Sequence, residues 1–235
     1  MRNAVLATAL TIAAFAAGSA DAASFVSGSG AISLDASDDF SWTTNFAATA
    51  GSGLVGTTGT IVFNFLSANA AGTLWNFSYS VDNTSVAPSA MSELSSFGFN
   101  TSATPSAVST ASGLFSAGIS IGNFNGLGSR SICLYAGPNC NGGASNGVEV
   151  NDAPASGTFS IGFGTGTRAL TLDGFVARWQ STGANGRGSA SGPGSVTGAV
   201  PESATWAMMI LGFGVVGWSL RRRAATRYVL RPSLV

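Results

Sequence analysis

The chain has 235 residues, contains no lysine or histidine, and is 9% charged, far below the ~25% of ordinary soluble proteins. Residues 23–199 hold four arginines and eight acidic residues, so this part is net negative. Nucleic acid is excluded as a partner, because phosphate binding needs clustered positive charge. The composition also excludes catalysis by histidine or lysine, and the sequence indicates no cofactor.

The N-terminus has the parts of a secretory signal peptide. Arg2 precedes the apolar segment 4–17, and the small residues Ala20 and Ala22 stand where a signal peptidase cuts. We therefore expect residues 1–22 to be removed, so that the mature chain begins at Ala23.

Period-two alternation is the clearest local pattern in residues 23–180. Between Thr73 and Asp82 every second residue is large and apolar, as a half-buried antiparallel strand requires. Eight further strands are predicted at Ser24 to Asp35, Asp39 to Ala48, Thr60 to Ser67, Ser92 to Asn100, Gly113 to Ile121, Ser129 to Tyr135, Gly157 to Gly164 and Ala169 to Gln180. Gly174 interrupts the last one and indicates a β-bulge. The pattern predicts an all-β domain, an antiparallel β-sandwich or jelly roll, because crossover helices for a parallel sheet are missing.

Three tryptophans and a glycine-rich stretch are candidate binding features. Trp42, Trp75 and Trp179 could form a sugar-stacking platform, but each lies on the apolar side of an alternating strand, which favours the core. Gly162 to Gly166 lacks the lysine and helix of a phosphate loop and is better explained as a strand-ending turn.

The only two cysteines, Cys133 and Cys140, flank the turn-forming residues 137–139. In an exported chain this spacing predicts a disulfide that closes a loop. A zinc site would lack two ligands, and the spacing is not that of a redox pair.

The densest group of acids is Asp35, Asp38 and Asp39. Carboxylate oxygens suit calcium, so the group is a candidate calcium site. The alternative is a polar turn before the strand at Phe40. No other metal site is predicted.

Residues 181–199 are mostly Gly, Ser, Ala and Thr. This composition predicts a flexible linker that holds the domain away from the membrane.

The C-terminus carries an uncharged apolar run, residues 203–220, followed by three arginines. As a helix the run would be roughly 27 Å long, enough for a transmembrane span with the arginines on the cytoplasmic side. Around it stand Pro201, Glu202, Trp206, Ala207, Met208, Gly212, Gly214, Arg221, Arg222 and Arg223. In order and spacing these residues resemble the PEP-CTERM sorting signal of Gram-negative bacteria, although Ser203 replaces the second proline and residues 224–235 follow as a cytoplasmic tail.

The resemblance implies that an exosortase-like membrane protease cuts near Pro201 and Glu202 in residues 200–223. The inner membrane would hold the precursor transiently, before delivery to the cell surface or extracellular space. The resemblance also implies association with exopolysaccharide and biofilm. We therefore expect a non-enzymatic cell-surface or matrix protein. The alternatives are a carbohydrate-binding module and a carboxylate-dependent glycan hydrolase or lyase.

Overall fold

The computed structural model describes residues 24–26, 30–119, 123–124, 126–141, 146–197, 211–215, 217 and 221. Within them are fourteen strands: β1 Ser24–Val26, β2 Ala31–Asp35, β3 Phe40–Ala47, β4 Ala50–Gly51, β5 Thr58–Ala68, β6 Leu74–Asp82, β7 Glu93–Thr101, β8 Pro105–Ser112, β9 Ser116–Ile119, β10 Ile132–Tyr135, β11 Val148–Glu149, β12 Ala155–Phe163, β13 Ala169–Thr182 and β14 Gly188–Thr197. Every pairing among them is antiparallel, so the predicted all-β antiparallel fold is confirmed.

The strands form one sheet that almost closes on itself. Its main path is β8-β12-β6-β5-β3-β14-β13-β7-β10-β9. Strands β8 and β9 stand at opposite ends of this path, yet only residues 113–115 separate them in the chain. The predicted sandwich is therefore corrected in one respect: its two layers are not separate sheets, because β14 joins them.

The core lies between the two facing halves of this sheet. The ring of Phe63 on β5 lies 5.8 Å from that of Phe97 and 6.1 Å from that of Phe99, both on β7. The ring centroid of Trp42 on β3 lies 6.4 Å from that of Phe175 on β13. Full burial of each such side chain contributes about 1.5–3 kcal/mol, so these aromatic residues dominate the stability of the domain.

Most predicted strands are confirmed, but the structure has more strands than the sequence predicts. The segment Ser24 to Asp35 is a hairpin, β1 and β2, because Gly30 turns the chain with φ 64°. Strands β4, β8, β11 and β14 were not predicted. The bulge at Gly174 is confirmed, since φ is 57° there and the β13–β7 register shifts between Asp173 and Val176.

The flexible linker predicted at 181–199 is wrong for residues 181–197, and residues 198–199 lie outside the described part of the chain. Residues 181–182 end β13, and residues 188–197 are β14, which pairs with β13, β4 and β3. Its glycines are explained by close packing: a Cβ on Gly194 would come within 2.6 Å of Cε1 of Phe46 and 3.0 Å of Cβ of Phe175. A composition typical of linkers here belongs to a strand in the middle of the sheet.

Candidate functional site

One face of the sheet is covered by hydroxyl and amide side chains. On the outer surface of β3, β5, β6, β8 and β12 these side chains bond to one another across the strands, as between Nδ2 of Asn64 and Oγ of Ser78 at 3.0 Å. The Oγ atom of Ser160 donates to Oδ1 of Asn76 at 2.7 Å. Asp82 is the only Asp, Glu, Lys or Arg in these five strands. We call this surface the polar face.

A groove of about 420 Å³ lies at the edge of the polar face, where β14 crosses to β3. It is lined by Asn45, Phe46, Ala47, Thr49, Thr58, Gly59, Thr60, Thr84, Pro193 and Ser195. None of these side chains is charged. The exposed lining of the groove is mostly apolar, and its polar groups are hydroxyls and the one amide of Asn45.

The polar groups of the groove are held in place by each other. Oγ1 of Thr60 donates to Oδ1 of Asn45 at 3.1 Å, and Nδ2 of Asn45 donates to Oγ1 of Thr197 at 3.3 Å. Oγ1 of Thr58 donates to the carbonyl oxygen of Thr84 at 2.8 Å. Such fixed hydroxyls and amides can exchange hydrogen bonds with a neutral, hydroxyl-rich ligand. The lining offers no acid, base or activated nucleophile for catalysis.

Sequence reasoning did not find the groove. Asn45, Thr58 and Thr60 are the polar members of alternating strands, and that alternation was the only signal available for them. Pro193 reaches the groove through the register of β14, and Thr84 lies in the segment just after β6. The sequence reveals neither position.

The predicted disulfide is confirmed. Cys133 on β10 is joined to Cys140, and both are fully buried. They pack with Phe124 and Val176 on the outer side of β7, β10 and β13. The disulfide thus fixes the loop after β10 over that side of the sheet.

The three acids of the calcium hypothesis form a turn. Oδ1 of Asp35 accepts from the backbone N–H of Ser37 at 3.1 Å and from its hydroxyl at 2.9 Å, and these bonds lower the pKa of Asp35. Oδ2 of Asp38 accepts from the N–H of Asp35 at 2.6 Å. Across the described ranges, no three Asp, Glu or Cys side chains gather as metal ligands. Asp35 and Asp38 are thus hydrogen-bonded within the turn before Phe40, and the calcium site at Asp35, Asp38 and Asp39 stays a prediction.

The tryptophans are core residues, as expected. Trp42 is 2% exposed, and Trp75 and Trp179 are fully buried, so none of the three can stack on a sugar from solution. Phe163 ends β12, and its N–H donates to the carbonyl oxygen of Thr73, which fits the predicted strand-ending turn at 162–166.

Most of the predicted sorting residues lie outside the described part of the chain. This holds for Pro201, Glu202, Trp206, Ala207, Met208, Arg222 and Arg223, and for the signal-peptide positions Ala20, Ala22 and Ala23. Gly212, Gly214 and Arg221 are helical. Where the structure describes the chain, it contains no helix that is both long and apolar enough to span a membrane.

No protein-family model, curated protein or solved structure matches this chain.

Proposed function

We propose that this chain is an exported, non-enzymatic protein of the cell surface or extracellular matrix, sorted by an exosortase-like membrane protease. The observation that carries the proposal is the order of elements at the C-terminus: Pro201-Glu202, then Trp206-Ala207-Met208, then the apolar run to Leu220, then three arginines. An ordinary membrane anchor needs the apolar run and the arginines. It does not need Pro-Glu at a fixed distance before them.

In this proposal the two ends of the chain act in succession. The signal peptide 1–22 starts export and is removed. Residues 204–220 then span the inner membrane as a helix, with residues 224–235 in the cytoplasm, until the protease acts. The helical state of residues 211–215, 217 and 221 supports a helix in this segment. The disulfide supports export, because disulfides persist in oxidising compartments.

We propose that the exported part, the antiparallel β domain, associates with exopolysaccharide. The support is the polar face with its groove, since hydroxyls and amides without charge suit a neutral polymer of sugars. The same groove favours the second candidate function, a carbohydrate-binding module. Such a module would bind by hydrogen bonds, because Trp42, Trp75 and Trp179 are buried.

In this proposal the cleavage site is close to the folded domain, because β14 ends four residues before Pro201. Thr197 is paired with Thr43 in the sheet, and only residues 198–200 separate it from Pro201. Even fully extended, four residue steps reach no more than about 14 Å. The protease must therefore work beside the sheet and not at the end of a flexible tether.

The proposal is tested by comparing two variants in the producing bacterium. An epitope tag is inserted between Ala184 and Asn185, in the exposed turn before β14. Replacing Pro201 and Glu202 with alanine should leave membrane insertion intact but trap the precursor in the inner membrane. Neutralising Arg221, Arg222 and Arg223 should instead weaken the cytoplasmic stop. If the Pro-Glu variant fractionates like the wild type, the segment is a simple anchor.

A further inference from the structure

We propose that the turn between β13 and β14 forms a binding site for the carboxylate group of an acidic sugar, centred on Arg187. The site is a pocket of about 310 Å³ on the surface of the domain. Ser52, Thr182, Asn185 and Arg187 line the pocket, together with three glycines. The pocket shares no lining residue with the groove and does not depend on the sorting proposal.

Arg187 carries a charge that no protein group engages. It is exposed, and within the described ranges its guanidinium forms no hydrogen bond or ion pair. The other three arginines of the β domain are engaged. Arg130 and Arg178 donate to backbone carbonyl oxygens. Arg168 lies near Asp35, whose pKa is lowered mainly by hydrogen bonds and also by the charge of Arg168.

Two further donors belong to the same pocket. Oδ1 of Asn185 accepts from the N–H of Arg187 at 3.1 Å, which leaves the Nδ2 group of Asn185 without a partner. Oγ of Ser52 accepts from the N–H of Ser189 at 3.3 Å, so its own proton can be donated to a ligand. Both Asn185 and Ser52 are exposed. A guanidinium, an amide and a hydroxyl thus offer hydrogen bonds to one ligand in one open pocket.

The walls of the pocket are held by hydrogen bonds within the protein. Oγ1 of Thr182 donates to the carbonyl oxygen of Ser52 at 2.6 Å, and the N–H of Gly183 donates to Oγ of Ser89 at 3.0 Å. The Oγ atom of Ser89 in turn donates to the carbonyl oxygen of Gly53 at 3.1 Å. These bonds join the turn after β13 to the segment after β4. The pocket is therefore preformed, which reduces the entropy lost on binding.

No acidic side chain lines the pocket. The segments around it, residues 49–57 and 183–192, contain no Asp or Glu. Glu93 on β7 is only 7% exposed, and its carboxylate oxygens accept from the hydroxyl of Ser181 and the N–H of Gly147. A ligand carboxylate therefore meets no competing protein carboxylate in the pocket, and its hydrogen bonds to the guanidinium are of the strong, charge-assisted kind.

Apolar side chains beside the pocket favour a sugar over an inorganic anion. Met91 is 54% exposed, and its Cε would lie 3.0 Å from a Cβ on Gly186, so Met91 packs against the turn. Val55 is 73% exposed and stands two residues after Gly53. Small-molecule sites combine apolar surface with a few placed polar groups, in volumes of about 300–1,000 Å³. The pocket is at the small end of that range, and a single acidic sugar offers both an apolar ring face and a carboxylate.

The test is saturation-transfer NMR on the untagged full chain, in a detergent without a sugar headgroup. Sodium glucuronate is titrated at constant ionic strength, and its methyl ester is titrated as the same ring without the charge. We expect the ester to bind about tenfold more weakly, because hydrogen bonds to a charged group are stronger than neutral ones. Sodium sulfate is added as a competitor. It should displace glucuronate only at a much higher concentration than glucuronate itself, since sulfate has no apolar face.

Three variants locate the site. Arg187→Gln removes the charge and should weaken glucuronate binding about tenfold. Asn185→Asp keeps the oxygen that accepts from the N–H of Arg187 but adds a negative charge, and it should abolish binding. Arg168→Gln removes the same charge outside the pocket and is the matched control, which should bind like the wild type. All three residues are exposed. Circular dichroism establishes that each variant is folded, and Asn185→Asp decides the question if Arg187→Gln is not.

The proposal is overturned if the methyl ester binds as tightly as glucuronate, or if Arg187→Gln binds glucuronate like the wild type. It is also overturned if Arg168→Gln weakens binding as much as Arg187→Gln, because the effect is then one of net charge. Sulfate that competes as strongly as glucuronate would contradict the assignment to a sugar. None of these results bears on the groove, which has its own polar residues.

Discussion

Gly192 of strand β14 lies so close to the carbonyl oxygen of Ala47 in strand β3 that no side-chain atom fits between them. The contact occurs where β14 leaves one half of the sheet and enters the other. A glycine in a stretch that is typical of linkers is thus a packing requirement of the fold.

We expect Gly192→Ala to destabilise the domain by about 1–3 kcal/mol, because the added methyl group forces backbone apart in a packed region. Urea denaturation measures the change. Gly164→Ala is the control, since a Cβ there would have no neighbour within 4 Å, and it should stay within about 0.5 kcal/mol of the wild type. Equal stability of the two variants would mean that β14 does not pack as described.

The alternating strands could be predicted from sequence because large apolar residues at every second position leave one arrangement that buries them. Trp75, Phe77 and Tyr79 are the clearest case. Strand β14 could not be predicted in this way. Its buried residues include Ala190 and Ser191, whose small side chains give no alternation in hydrophobicity. Strand β8 was missed for the same reason, since it begins at Pro105 and consists mainly of Ser, Thr and Ala.

Of the disulfide and the groove, only the disulfide could be predicted from the sequence. Cys133 and Cys140 could be paired because they are the only cysteines and lie close together in the chain. The groove between Thr60 and Pro193 brings together residues far apart in sequence, and only the strand register determines that they meet.

Removing the disulfide by Cys133→Ala and Cys140→Ala should lower stability by about 2.5 kcal/mol, because the loop then regains its freedom in the unfolded chain. For a domain of this size the melting temperature should fall by roughly 5–10 °C. Calorimetry of the variant and the wild type measures the fall. Peptide mapping without reductant should also recover the two cysteines joined, whereas free thiols in the exported protein would contradict the prediction.

The groove is tested by removing two of its fixed polar groups. Thr60→Val combined with Asn45→Ala should weaken binding to the neutral fraction of the producer's polysaccharide about tenfold, since each lost hydrogen bond contributes about 0.5–1.5 kcal/mol. Affinity electrophoresis gives the dissociation constants. Thr158→Val, on the polar face but away from the groove, is the matched control. If the double variant and the control variant both bind the glycan as tightly as the wild type, the groove is not its binding site.

The short segment of chain between Thr197 and Pro201 leads to a prediction about the rate of cleavage. A spacer of about ten Gly and Ser residues inserted after Thr197 should speed cleavage, because it extends the reach of the site from about 14 Å to several times that length. Pulse-chase labelling follows the precursor. Deletion of residues 198–200 should slow cleavage. If neither the insertion nor the deletion changes the cleavage rate, the protease does not need room beside the sheet.

The most direct test of sorting at both ends is the intact mass of the protein recovered from the cell surface. We expect a chain that begins at Ala23 and ends near Pro201 and Glu202, with the apolar run and the arginines removed. A surface protein that still begins at Met1 and ends at Val235 would contradict it.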